Sequence, residues 1–516
     1  MVTDSPAPPR TAVTRGEVAR GAGLAGLSRA GALIEALAQP LYTRFFGIET
    51  YGLYVALWGA VSLAVNFIHL SMPVALQRIV PTQDETAAHG AVKLSLLIAL
   101  VPAILIALLV TLNAAWIATF FSAAADDAQR LPAAIALFAW ALPLWAFIET
   151  ATGAARARRA FGPEIRLRIF WEQIARILFA TGFFFAGATN NGLIIAHLCS
   201  LTVTAGLCIP LLGRYYSLRL LLRAPLPKGL VRELAMTGIA LLPTNLSRRA
   251  LIDAPPLLLN LMLPGSKGAA AAGLFEIARK ISTVPLIVRQ AFQYVLAPLS
   301  SAQAHADRAQ VAPLYHFASR VSTALVVPLS GLLIFAAVDI LSLYQPRAAA
   351  ALPLLYILVT ARAIEAIVGP ASTIVEMIGH RALPLLNSFI AIALWLGLAW
   401  WLAPGAGAHA MTPDAGAHGM AWAIAIATVA STYAATLELQ ISDGLQPFDR
   451  KLFQGLGIAL LGVALMAAAE YLLPGVARFA VILALWAATS WLTLRFGLTR
   501  GDREALGGLS RRLRLV

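Results

Sequence analysis

Arginine and lysine recur inside stretches that otherwise have the composition of lipid-facing helix: Arg29, Arg248 and Arg249, then Arg279, Lys280 and Arg289. A cation at the centre of a membrane-spanning helix costs about 2.5 to 3.5 kcal/mol on insertion scales, so it persists where protein or water surrounds it. These residues therefore point to a polar cavity inside a membrane protein, and their sign points to an anion as its guest. Guanidinium groups suit that task because they offer fork-shaped donors to phosphate oxygens.

Spacing qualifies each charge. Glu276, Arg279 and Lys280 fall at i, i+3 and i+4 on one helical face, so Glu276 can neutralise one cation and leave the other over. Arg249 and Asp253 are four apart and can pair, whereas Arg248 points about 100° away. Arg29 and Glu35 stand on nearly opposite sides of their helix. Glu172 with Arg176, and Arg362 with Glu365, have the spacing of structural pairs that serve packing. Asn66 and His69 place polar groups at i, i+3 in the second span, where a histidine beside a carboxylate can relay protons. Glu35, Asp253, Glu276 and His69 are the candidates for ion coupling, and Asn66 is a candidate polar group of the cavity.

The elements that must position these residues are membrane spans. Of the 516 residues 59% are hydrophobic and only 12% charged, with a mean hydropathy of +0.77 that is sustained along nearly the whole chain. Apolar runs of roughly 20 residues predict fourteen helices, near 22–45, 51–77, 92–119, 131–155, 165–187, 191–213, 231–262, 269–300, 315–344, 351–378, 383–403, 419–441, 452–473 and 477–496. Residues 1–20 are polar and Pro-rich, without the apolar core of a signal peptide, and read as a cytoplasmic tail. The two cysteines, Cys199 and Cys208, share one apolar segment and suit neither a disulfide framework nor a metal site.

Basic residues fix the expected orientation. With the N-terminus in the cytoplasm, the connections holding Arg156 to Arg168, Arg214 to Arg232, and Arg450 with Lys451 fall inside, together with the tail from Arg495 to Arg514. The opposite face receives little more than Arg130, Lys267, Arg347 and Arg478. This is the positive-inside pattern with both termini cytoplasmic, and it accounts for the net charge of +14 without a nucleic-acid partner. The stretch from Arg214 to Glu233, with leucines between basic residues, has the composition of a helix lying on the membrane surface.

An internal repeat is also legible. Gly47, four residues, then Gly52-Leu53-Tyr54 matches Gly268, four residues, then Gly273-Leu274-Phe275, six spans later. An even number of spans gives the two halves one orientation. The expected organisation is a cytoplasmic tail 1–20, an N-lobe 21–213, a basic interlobe linker 214–230, a C-lobe 231–441, two further helices in 442–496, and a basic tail 497–516.

The segment from Pro40 to Tyr54, with Arg44, Gly47, Tyr51, Gly52 and Leu53, after a first span preceded by Arg20-Gly21, resembles the start of the Wzx-type polysaccharide flippases. These belong to the multidrug/oligosaccharidyl-lipid/polysaccharide exporter superfamily, which the fourteen spans and two six-helix lobes also resemble over essentially the whole chain. The resemblance implies an all-α polytopic protein of the bacterial inner membrane with a V-shaped cavity lined by spans one, two, seven and eight. It implies transfer of undecaprenyl-pyrophosphate-linked oligosaccharide from the cytoplasmic to the periplasmic leaflet by alternating access, for lipopolysaccharide, capsule or exopolysaccharide synthesis. Expected partners are that lipid-linked glycan, the bilayer, and polysaccharide polymerase and chain-length machinery. No cofactor is expected; the membrane potential, about 2.3 kcal/mol per charge per 100 mV, or a proton or sodium gradient would give direction. Two rivals stand beside this reading. A drug or cation exporter of the same superfamily would favour acidic residues in the cavity. A membrane-bound glycosyltransferase, polymerase or ligase would place acidic or histidine chemistry on large outer loops, but the longest here, Pro404 to His418, is Gly/Ala-rich with no metal spacing around His409, Asp414 and His418. The chain carries no phosphate-binding loop, dinucleotide fingerprint or His-Glu-x-x-His motif, so ATP-driven transport is not expected, and with its short outer loops the protein is not expected to be an enzyme.

Overall fold

In a computed structural model the chain is all helical, and no strand occurs among the described residues. The structure describes residues 34–287, 311–403 and 413–515, apart from 159, 161, 163–164, 190, 227, 370, 379–381 and 507. Arg29, Arg289 and His409 lie outside the described residues, and the side chain of Asp414 does too.

The first half holds α1 (34–46), α2 (Ile48–Ile68), α3 (Met72–Ile79), α4 (Glu85–Leu112), α5 (Leu131–Phe138), α6 (Ala141–Ala157), α7 (Glu172–Phe185) and α8 (Gly192–Tyr215). The second half holds α9 (Lys228–Met262), α10 (Ser266–Ser282), α11 (Ala312–Phe335), α12 (Leu352–Ile367), α13 (Ala371–Ile378), α14 (Ala382–Leu402), α15 (Pro413–Asp443), α16 (Arg450–Leu472) and α17 (Gly475–Phe496). Ala and Leu fill these segments, and polar residues start several of them. The Asp84 carboxylate accepts from the Ala87 N–H at 2.7 Å to cap α4, and Asp449 accepts from Leu452 N–H at 2.8 Å to cap α16.

Ten helical stretches among the described residues are long and apolar enough to cross a membrane, making this a multi-pass membrane protein. Their lipid-facing surface stays apolar: Leu112 is 72% exposed, Leu461 63% and Trp400 76%. The ten correspond to expected spans two to four, six, and nine to fourteen. Spans one, five, seven and eight are the remainder, and they carry the charges. α9 runs as one helix through Pro243, Pro255 and Pro256. The fifth span opens as a π-helix, Ile165–Trp171, before continuing as α7.

Helices α2, α9 and α10 form the seam between the two halves, with α2 packed along both of the others. The contact is backbone against backbone. A Cβ on Gly52 would sit 1.8 Å from the Ala269 carbonyl oxygen, and one on Gly273 would sit 2.6 Å from that of Ile48. The repeat equates Gly52 with Gly273 and Ile48 with Ala269, so this is one contact made twice, as at a two-fold interface. The other repeat pair diverges: Gly47 joins α1 to α2 at φ 84, where a side chain would be strained, whereas Gly268 lies inside α10 against the Leu263 carbonyl.

The basic connection after α8 is fastened to α4. Lys93 Nζ donates to the carbonyls of Leu222 at 2.9 Å and Ala224 at 3.1 Å, and His89 Nε2 accepts from the Ser217 N–H at 3.0 Å. This holds a short helix, Leu218–Arg223, whose Leu218, Leu220 and Leu222 are exposed beside Arg219 and Arg223.

Adding one methyl group tests the seam. Gly52→Ala should cost about 1–3 kcal/mol by overpacking, whereas Gly397→Ala, in open space within α14, should leave stability unchanged or slightly raised. Thermal unfolding of the detergent-solubilised protein separates the two.

Candidate functional site

A cavity of about 300 Å³ opens among α1, α2, α6, α7, α9 and α10 and the π-helix that precedes α7. Five basic side chains line it, Arg168, Arg176, Arg249, Arg279 and Lys280, with four carboxylates, Glu35, Glu172, Asp253 and Glu276.

Each carboxylate of the wall meets a cation. Arg249, on α9, places Nε 2.8 Å from Asp253 Oδ2 and donates to Ser62 Oγ of α2 at 3.0 Å; Ser62 in turn donates to Asp253 at 2.6 Å. Arg279 grips Glu276 with Nε at 2.7 Å and Nη2 at 2.6 Å. Lys280 Nζ crosses from α10 to α1 and reaches Glu35 Oε1 at 2.5 Å, with Glu276 3.9 Å away. Arg176 holds Glu172 through two donors and gives a third to the Tyr54 hydroxyl at 3.1 Å. That hydroxyl also meets His197 Nδ1 at 3.0 Å. Arg168 reaches Glu149 Oε1 at 2.6 Å, and its guanidinium carbon stands 4.4 Å above the Trp145 ring.

The pairs share an orientation. Side-chain exposure is 12% for Arg279 against 4% for Glu276, 27% for Arg249 against 11% for Asp253, and 22% for Arg168 against 11% for Glu149. Lys280 and Glu35 reverse the order, at 18% and 31%. In most pairs the cation is the more exposed partner, on a wall of five basic side chains and four carboxylates.

Five of the expected residues change place or role. Arg248 is exposed and stays off the cavity wall, because its neighbour Arg249 takes the inward face of α9. Glu276 does not leave a cation over, since Glu35 on α1 supplies the second acid. Arg176 pairs with Glu172 as expected, yet it lines the cavity instead of serving packing alone. Asn66 is off the wall and donates to the Ser62 carbonyl at 2.9 Å, closing its own helical turn. His69 lies behind the site: its Nε2 meets Glu149 Oε2 at 3.0 Å, and its Nδ1 accepts from the Ser71 N–H at 3.2 Å, which sets the proton on Nε2. That contact coincides with a sharp break after α2, where Leu70 and Ser71 take φ of 47 and 57.

Sequence reasoning missed Arg168, which sits in a basic connection and reads as topogenic. It also missed Gln39 and Tyr42, which follow the candidate Glu35 at i+4 and i+7 on one stripe that the helical period could have revealed. The turn between α1 and α2 is bridged to the segment after α11: Arg44 donates to the carbonyls of Ser342 at 2.9 Å and Tyr344 at 3.4 Å, and Glu49 pairs with Arg347.

No protein-family model and no curated protein matches the chain. Solved structures do. The lipid II flippase MurJ in an inward closed conformation aligns at TM-score 0.70 with 10% identity, covering 92% of this chain and 97% of that one. A MOP superfamily transporter from Pyrococcus furiosus Vc1 aligns at 0.59 with 13% identity over 83% and 96%. An inward-facing multidrug resistance MATE family transporter of the MOP superfamily aligns at 0.58 with 14% identity over 82% and 94%. The chain has the fold of the MOP transporters. Within that fold the charged cavity falls at the seam formed by α2, α9 and α10.

The pairing itself is testable. Glu276→Leu strands the Arg279 guanidinium and should cost about 3–5 kcal/mol, while Glu276→Leu with Arg279→Met should recover most of that loss. Thermal melts of the two single variants and the double variant close the cycle.

Proposed function

We propose that the protein is a flippase that carries polyprenyl-pyrophosphate-linked oligosaccharide from the cytoplasmic to the outer leaflet of the bacterial inner membrane. The observation that carries this reading is the cavity wall of five basic side chains against four carboxylates, with the cation the more exposed partner in most pairs. The similar MurJ structure belongs to a lipid II flippase, which supports a lipid-linked cargo.

A pyrophosphate brings concentrated negative charge that cannot cross hydrocarbon unaided. Arg279 commits Nε and Nη2 to Glu276 and keeps Nη1, so a phosphate oxygen can be bound without breaking the resident pair. The polyprenyl tail trails in the bilayer while the two halves, the N-lobe 21–213 and the C-lobe 231–441, rock about the glycine seam. The bridges of Arg44 and Glu49, on the expected outer side, would hold that side shut in one state of the cycle. Uptake of a proton or sodium ion at Glu35, Asp253 or Glu276 would release the paired cation to the substrate, which couples the gradient to binding.

An exporter of cationic drugs is the alternative that the four carboxylates favour. Each of them is already held by Arg or Lys, which leaves a cationic guest little to bind.

Depletion of the protein in its native host should raise the pool of glycan-bearing polyprenyl pyrophosphate in the cytoplasmic leaflet several-fold, read by mass spectrometry and a membrane-impermeant label. The mass of the accumulated lipid distinguishes a peptidoglycan precursor from a polysaccharide repeat unit. Arg279→Lys should restore more flow than Arg279→Ala. An unchanged lipid-linked pool on depletion sinks the proposal.

A further inference from the structure

Ion pairs explain only one part of the cavity wall. Among the described residues, four further polar atoms that are buried and lack a hydrogen-bond partner belong to side chains lining this same cavity: Gln39 Nε2, Tyr42 Oη, Trp145 Nε1 and Gln173 Oε1. Gln39 and Tyr42 are each 2% exposed and Trp145 5%. Buried polar groups without partners are scarce in native proteins, because each forfeits the hydrogen bonds it would make in water. Four among the side chains of one cavity point to a polar guest as their missing partner.

Their chemistry differs from that of the cations. The Gln39 amide nitrogen and the Trp145 indole only donate, the Gln173 oxygen only accepts, and the Tyr42 hydroxyl does either. A phosphate at neutral pH is chiefly an acceptor and has little to offer Gln173. A sugar hydroxyl donates and accepts at once, and an N-acetyl group presents one N–H and one carbonyl. Local packing holds the set in place: Gln39 Oε1 accepts from the Tyr344 hydroxyl at 3.4 Å, which turns its Nε2 away from that contact. Trp145 is wedged between Arg168 and the ring of Trp58, at 5.1 Å and 72°. Trp58 also lines the cavity and is half-buried, adding apolar aromatic surface of the kind that covers the C–H faces of a pyranose.

We infer that Gln39, Tyr42, Trp145 and Gln173 form a neutral subsite for a pyranose unit, an N-acetylhexosamine or hexose, beside the cationic part of the cavity. This rests on the proposed lipid-linked cargo and deepens it: the cations take the pyrophosphate and the subsite reads the first sugars. Discrimination then comes from buried groups left unpaired whenever a guest lacks the matching hydroxyl or amide.

The test uses the full chain in nanodiscs and two probes, undecaprenyl pyrophosphate and undecaprenyl-pyrophosphoryl-N-acetylglucosamine. Wild type should bind the sugar-bearing probe at least about tenfold more tightly, the factor that 1.4 kcal/mol represents. Tyr42→Phe keeps the ring, Trp145→Phe exchanges the indole for a phenyl ring, and each removes one donor and should lower that affinity ratio about fivefold. Tyr42→Phe guards against a Trp145 variant that fails to fold, and a thermal melt confirms both. Equal binding of the two probes by wild type, or an unchanged ratio in both folded variants, overturns the subsite and leaves the flippase reading standing. Binding of neither lipid overturns both.

Discussion

Charge inside a membrane has to be answered by charge or by water, and the centre of this molecule is arranged around that requirement. Arg249 on α9 finds Asp253 on its own helix, but its second partner, Ser62, belongs to α2, and Glu149 on α6 stands 4.0 Å from it. Lys280 on α10 finds Glu35 on α1. These contacts cross between the halves of the chain and need the helices that bear them close together. The glycines allow that approach: Gly52 against Ala269 and Gly273 against Ile48 bring backbones to distances that no side chain tolerates. Gly59 does the same against the Asp253 carbonyl, where a Cβ would sit 2.5 Å away. Pairing and close packing therefore depend on one another.

Much of this was legible in the residues. Helical class, membrane character and ten of the spans follow from sustained apolar runs, because in lipid the backbone must satisfy its own hydrogen bonds and long helices are the direct solution. The Gly-x4-Gly-Leu-aromatic repeat pointed to the elements that meet at the seam. The i, i+4 pair of Arg249 and Asp253 and the i, i+3 pair of Arg362 and Glu365 were visible as spacings, and both are formed. What spacing could not show was partnership across helices. Glu35 has no partner by local geometry and is 245 positions from Lys280. The π-helix that carries Arg168 leaves no mark in the hydrophobic period, so a cavity residue looked like part of a topogenic connection. Arg248 and Arg249 are equivalent in composition, and only the packed face of α9 separates them.

A cavity lined by free cations would hold a pyrophosphate tightly and release it slowly, because binding energy spent equally on every state of a carrier gives no net flow. Resident carboxylates change that balance. In the proposed cycle each cation would keep or regain a partner a few ångströms away when the guest leaves, so the empty protein would not expose an unpaired buried charge, a situation that costs about 3–5 kcal/mol. The pairs that span helices, Lys280 with Glu35 and Arg249 with Ser62, also report relative helix position, since they are made only when α1, α2, α9 and α10 stand as they do here. Rocking that separated these helices would break them at the moment a phosphate could take their place. The substrate would then stabilise the arrangement that the empty protein disfavours, which is the differential interaction that alternating access requires.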